Sequence, residues 1–315
     1  MQPTFSIVCF TTASGAGFAL LLIVGIGVPL ALLPLDPWFG AAALGAAFAF
    51  AVGGLISSVF HLGRPERAWR AFSQWRSSWL SREGVLSVAT FVPAIVFAIG
   101  WLVFGRTAGG FGFSGFLAAV LAAGTIVCTG MIYASLKPIR QWHNRWVVPN
   151  YLLLALMGGF LLLDLVIRFW RPAPLGTPIL ALAAVALAWA AKEAYWRHID
   201  TAAAPSTPES ATALGQRGPV RLLEPPHTQD NYLLKEMGYR IARKHRRRLR
   251  MAARLFAFAL PFALTVAALI VGFGIGAVLA GAAVASAALG LLVERWLFFA
   301  EATHTVTLYY GAAAV

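Results

Sequence analysis

Charge is scarce in this chain, and negative charge above all. Only 12% of the 315 residues are charged, with 12 Asp and Glu against 25 Lys and Arg. A soluble domain is roughly a quarter charged, so a water-soluble protein of this size is excluded. Cysteine is scarcer still: Cys9 and Cys128 stand far apart, without CxxC or Cys/His spacing. That argues against a disulfide framework and against a zinc or iron–sulfur site built from this chain. Histidine is missing from the middle of every long apolar run. His61, His198 and His304 fall near the ends of runs, while His143, His227 and His245 lie between them. A membrane b-type haem wants two His facing each other from helix interiors, so no haem is expected here. The N-terminus has no basic n-region and no small-residue cleavage site, so the first apolar run is expected to be a retained span.

What the chain does have is hydrophobic residues, 59% of the total, and a mean hydropathy of +0.74. About 20 apolar residues cross the hydrocarbon core as a helix. Eight such runs are predicted, near 13–35, 39–61, 84–105, 114–136, 147–168, 178–197, 252–273 and 276–299. The fold class is therefore all-α, a polytopic integral membrane protein with eight transmembrane helices. Residues 1–197 hold spans 1–6, 198–251 form a long loop, and 252–315 hold spans 7–8 and a tail. The frequent glycines inside spans, such as Gly17, Gly25, Gly158 and Gly159, read as close-packing positions.

The basic residues are distributed unevenly. The 2–3 connection holds Arg64, Arg67, Arg70, Arg76 and Arg82, and the 4–5 connection holds Lys137, Arg140 and Arg145. The 6–7 connection, from Arg197 to Arg254, holds twelve more. The opposite connections hold only Arg106, Arg168 and Arg171. By the positive-inside rule the basic connections and both termini are cytoplasmic, in a bacterial inner (plasma) membrane. The net charge of +13 is thus accounted for by topology and lipid, and no nucleic-acid partner is expected. The long loop divides in two. Its first half, around 201–210, reads as linker. Asn231 to Arg250 reads as a basic amphipathic helix, which either lies in the headgroup layer or docks a soluble partner, and both can hold.

Polar groups gather at the basic end. His61 closes span 2, Glu83 opens span 3, and Tyr133 lies near the end of span 4. Lys192 and Glu193 end span 6, and Glu294, Arg295, Glu301 and His304 end span 8. Quinone chemistry needs donors for two carbonyl oxygens and a group that exchanges protons near neutral pH, which His does unperturbed and a buried Glu also can. The bland readings stand beside this one. Arg70 and Arg76 read as lipid or partner contacts, and Lys192 and Glu193 as side chains that snorkel or pair locally. Glu294 with Arg295 reads as an interhelical ion pair, and Asp164 with Arg168 as an i,i+4 pair. For His61, Arg67 and Glu83, spacing alone leaves a ligand role and a structural role equally open.

The string His61-Leu62-Gly63-x-Pro65-x-Arg67-Ala68, with a Glu at the next span, resembles the membrane anchor subunit of dimethyl sulfoxide reductase-type complexes. The eight-span layout agrees. The resemblance implies a haem-free anchor beside a molybdopterin catalytic subunit and a four-cluster iron–sulfur subunit, with a quinone (ubiquinone or menaquinone) bound in the anchor. It places the site on His61, Arg67 and Glu83, with His61 or Glu83 as proton relay and Arg67 as electrostatic support. Arg64, at a position that can be small and neutral in relatives, and Tyr133, as a lining residue, complete the set. The opening Gln2 to Ser6 and the segment Met131 to Arg140 look similar to the cytoplasm-facing sulfite dehydrogenase branch, which passes electrons from sulfite to quinone. A quinol-oxidising anchor of a sulfoxide, polysulfide or oxyanion reductase would use the same residues in reverse. A secondary transporter, which tends to carry its polar groups at the bilayer midplane, is a reading from another class, and a purely structural anchor is a third.

Overall fold

The computed structural model describes residues 5–60, 62–170, 176–202, 206–221, 223–224, 244–271 and 273–310. Eight long helices run through them. They are α1 (Phe5–Gly27), α2 (Pro37–Val59), α3 (Trp79–Leu102), α4 (Gly109–Ala134), α5 (Val147–Arg168), α6 (Gly176–Thr201), α7 (Arg246–Ile270) and α8 (Phe273–Ala300). All eight are long and apolar enough to span a bilayer, and there is no strand among the described residues. The protein is an all-α, multi-pass membrane protein.

Helix α1 begins and ends eight residues before the predicted limits. Hydroxyl residues lower the hydropathy of its first half, yet each finds a carbonyl one turn back. Thr11 donates to Ile7 O at 3.0 Å, Thr12 to Val8 O at 2.9 Å and Ser14 to Phe10 O at 2.6 Å. The polar groups are thereby satisfied without water. The apolar run after Gly27 is not helical: it holds Pro29 and Pro34, and Ala31 has a φ of 56°. The chain turns there, and Asp36 caps α2 by accepting from the amides of Trp38 and Phe39 at 3.0 and 2.9 Å.

Helix α1 lies at the centre of the bundle, against α2, α4, α5 and α8. Its Ala19, Leu20, Leu21 and Val24 are fully buried, which is why its sequence is apolar all round. Close approach relies on glycine at specific points. A methyl group on Gly17 would strike the backbone of Ala51 in α2, and one on Gly290 would strike the backbone of Ala257 in α7.

The second contact falls on a widened, π-helical turn, Arg254–Ala259. Pro261 follows it and has no N–H to offer the Phe256 carbonyl. Ser286 of α8 donates to that oxygen instead, at 2.8 Å, so a local defect becomes an interhelical contact.

The predicted 6–7 loop shortens, because α6 continues to Thr201 and α7 starts at Arg246. Between them are a short helix, Pro208–Thr212, and a 3-10 turn, Gly215–Arg217. Most of the expected basic amphipathic helix, residues 231–243, lies outside the described residues.

Candidate functional site

The 2–3 connection folds as a 3-10 helix, Pro65–Phe72, lying across the end of the bundle with no buried residue. The five arginines of the connection divide into three groups. Arg70 and Arg76 are exposed and sit over Trp69 and Trp75, at 5.6 and 5.4 Å from the ring centres. Arg82 folds back onto the connection, donating to Trp75 O at 3.0 Å and Arg76 O at 2.7 Å and covering the Trp79 ring at 4.2 Å. Arg64 and Arg67 turn to a cavity of about 530 Å³ beneath the 3-10 helix.

Five segments build that cavity: the start of α1, the end of α2, the 3-10 helix, the start of α3 and the end of α4. Its walls are mainly apolar, with Phe10, Leu55, Val59, Phe72 and Val88 among them. The ionisable groups among its described lining are Arg64, Arg67, Glu83 and Tyr133, which are all the sequence-predicted site residues except His61. His61 lies outside the described residues; Leu62, next in the chain, lines the cavity. Leu80 and Val88 are 54% and 55% exposed on α3, so the chamber has lipid-facing residues on its wall.

Glu83 does not open span 3. Helix α3 begins at Trp79, behind an N-cap at Ser78, and Glu83 stands in its second turn with 4% exposure. Charge and hydropathy had set the start too late, because a capped first turn of Trp79, Leu80, Ser81 and Arg82 is too polar to count as span. The carboxylate Oε1 accepts a hydrogen bond from Thr129 of α4. Thr129 has one hydroxyl hydrogen and two neighbours that accept it, Glu83 and the Thr125 carbonyl oxygen at 3.0 Å. When the hydrogen points at Thr125, a proton on Glu83 completes the other contact. When Glu83 is ionised, the hydroxyl turns to it. The pair therefore accommodates both protonation states with little movement. Sequence reasoning missed Thr129, although Thr125, Thr129 and Tyr133 recur at i, i+4 and i+8 on one face of α4.

Tyr133 joins the cavity to the bundle interior. Its ring stacks on Tyr151 at 5.7 Å and meets Trp142 and Phe298 edge-on, each at 5.3 Å. The Arg295 guanidinium lies 4.1 Å from the Tyr151 ring centre. Behind it is a buried ion cluster. Arg295 contacts Glu294 at 2.7 Å, and Lys192 of α6 contacts the other Glu294 oxygen. Lys192, Glu294 and Arg295 are 1%, 0% and 4% exposed, so Lys192 does not snorkel. Two cations against one carboxylate leave one net positive charge inside the bundle. Glu294 stands six residues before the end of α8, about 9 Å inside it at 1.5 Å per residue, and so nearer that end than the middle of the helix.

Further ion pairs close the same end. Arg250 contacts Glu301 and Asp200, each at 2.6 Å, and Arg254 holds Glu193 with two bonds of 2.6 and 2.9 Å. Asp164 and Arg168 form the expected i,i+4 pair at 3.0 Å near the opposite end, and Arg168 also donates to Ala268 O at 2.9 Å.

A model of the DMSO reductase anchor subunit (DmsC) family matches residues 44–311, which span α2 to α8 and the 3-10 helix over the cavity. The chain is also 31% identical over 337 aligned positions to a sulfite dehydrogenase subunit from Allochromatium vinosum, covering all of both sequences. No solved structure matches. The motif at Leu62 to Glu83, the eight spans and these two similarities agree, and the chain belongs to the DMSO reductase anchor subunit (DmsC) family.

Proposed function

We propose that the chain is the membrane anchor and quinone-reactive subunit of a three-subunit oxidoreductase, linking sulfite oxidation to the quinone pool. A molybdopterin subunit oxidises the substrate, and a four-cluster iron–sulfur subunit delivers electrons to the basic end of this chain. One observation carries the reading: a buried carboxyl, two arginines and a tyrosine converge on one apolar chamber at the edge of the membrane.

The residues fit a quinone. The chamber volume of about 530 Å³ lies in the range of small-molecule sites, which are mostly apolar with a few placed polar groups. Arg64 and Arg67 offer N–H donors and positive potential to one carbonyl oxygen, and Tyr133 offers an O–H. When bound, a quinone supplies two-electron, two-proton redox chemistry in the lipid phase. Glu83 holds a proton at its carboxyl, with Thr129 adjusting to either state. His61, one residue before the lining Leu62, exchanges that proton with water. Leu80, Val88 and Phe72 keep bulk water from the chamber.

The choice of sulfite rests on the end-to-end similarity to the sulfite dehydrogenase protein. The twenty basic residues gathered at the end of the spans that carries the 2–3, 4–5 and 6–7 connections support a cytoplasmic location for that side, and for the partners with it. The test is Glu83→Gln in the assembled complex. Sulfite oxidation by an artificial acceptor should persist while quinone reduction is lost. Normal quinone turnover in that variant would remove Glu83 from the site.

A further inference from the structure

A second and larger groove opens on the outer face of the bundle, away from the Glu83 chamber. Its volume is about 840 Å³, and it runs along α6 between the start of α5 and α7. Ala186, Ala190 and Ala194 form its floor, one helical turn apart. Trp189 and Phe262 form apolar sides, and Trp146 stands at the basic end. The basic end itself carries Arg145, Arg197, His198 and Thr201.

The charge of this end is not cancelled internally. Glu193 is the one acid among the lining residues, and Arg254 already holds both its oxygens at 2.6 and 2.9 Å. Trp189 Nε1 adds a third contact at 3.3 Å. With Arg145, Arg197 and Arg254 against Glu193, two positive charges remain. Arg145 is exposed beside the Trp146 ring, 5.5 Å from its centre, and Arg197 is exposed near the end of α6. The wall is rigid. Tyr195 donates to Gln141 O at 3.1 Å and Asn150 to Ala191 O at 3.2 Å, which clamps the 4–5 connection and α5 to α6.

The dimensions match a lipid. From Thr201 to Ala186 is fifteen residues, about 22 Å along the helix. Half a hydrocarbon core is about 15 Å, which leaves room for a headgroup at the arginines. Charged at the membrane edge, aromatic at the interface and apolar below, the groove has the order of chemistry of one phospholipid molecule.

We infer that this groove is a binding site for an anionic glycerophospholipid. Its phosphate sits among Arg145, Arg197 and His198, and its acyl chains lie over Ala190 and Ala186 beside Phe262. The site is independent of the quinone reading, because its residues line a different cavity.

The test uses the purified complex, or the full chain where the partners dissociate, in nanodiscs with equal phosphatidylglycerol and phosphatidylcholine. Lipid retained after detergent extraction is counted by native mass spectrometry. At about 1 kcal/mol for each of two arginines near the surface, the anionic lipid should be preferred about 30-fold. Arg145→Gln with Arg197→Gln should abolish the preference. Arg247→Gln with Arg248→Gln, which removes the same charge elsewhere on that end, should keep it. Ala190→Trp should expel the lipid while leaving the arginines and the quinone activity in place, which separates lost binding from lost folding. Equal retention of both lipids overturns the inference. So does a preference that survives the first pair or Ala190→Trp, or one lost only in the second pair. A groove sealed by a partner protein, with no lipid retained in the complex, also overturns it.

Discussion

Replacing Glu294 by Gln puts the buried ion cluster under direct strain. The Arg295–Glu294 contact of 2.7 Å is worth ~6 kcal/mol of attraction at an effective dielectric of ~20. Desolvation offsets this by several kcal/mol for each ion, so the intact cluster contributes little net stability. Removing the carboxylate is different, since Lys192 and Arg295 would then face each other with two uncompensated charges. Breaking a buried pair in this way costs about 3–5 kcal/mol. Lys192→Met or Arg295→Met should cost less, about 1–3 kcal/mol, because Glu294 keeps one cation and the cluster becomes neutral. Thermal unfolding of the complex, followed by loss of the monodisperse size-exclusion peak, should rank the variants. The expected fall for Glu294→Gln is roughly 6–10 °C, at ~2 °C for each kcal/mol. Equal losses for the three variants, or a larger loss for Lys192→Met, would refute the charge-balance argument.

Three further outcomes follow from individual contacts. Thr129→Val removes the hydroxyl that serves Glu83, and quinone reduction should slow about 10- to 100-fold while artificial-acceptor activity is kept; Thr129→Ser should restore most of the rate. Gly290→Leu drives a side chain into the Ala257 backbone, so detergent melting should report a loss of about 1–3 kcal/mol or failure of α7 and α8 to pack. Arg82→Ala releases the carbonyls of Trp75 and Arg76, and limited proteolysis between Phe72 and Trp79 should become several-fold faster without loss of the eight-helix fold.

Several features were legible in the residues themselves. The ladder of apolar runs places eight helices, and Arg64, Arg67, Glu83 and Tyr133 do meet at one cavity. The Asp164–Arg168 pair could be read from its i,i+4 spacing, which is a property of a single helix. Helix limits were harder. Thr11, Thr12 and Ser14 look polar in a hydropathy sum, yet their hydroxyls are spent on carbonyls of the same helix. Partners across helices were harder still. Lys192 read as a side chain that snorkels or pairs locally, because its acid, Glu294, is supplied by α8.

The sequence by itself determined that the chain is a bundle of eight membrane helices with its basic residues concentrated at one end. A bilayer leaves no alternative for long apolar segments, since every backbone N–H and C=O must be satisfied within the helix. Which side chains face one another was decided only by the tertiary structure. Thr129 meets Glu83 from 46 residues away, and Lys192 meets Glu294 from another helix altogether. Such pairs depend on helix rotation and on where glycines such as Gly17 and Gly290 let backbones close up. Spacing along one helix carries no information about the azimuth of the next.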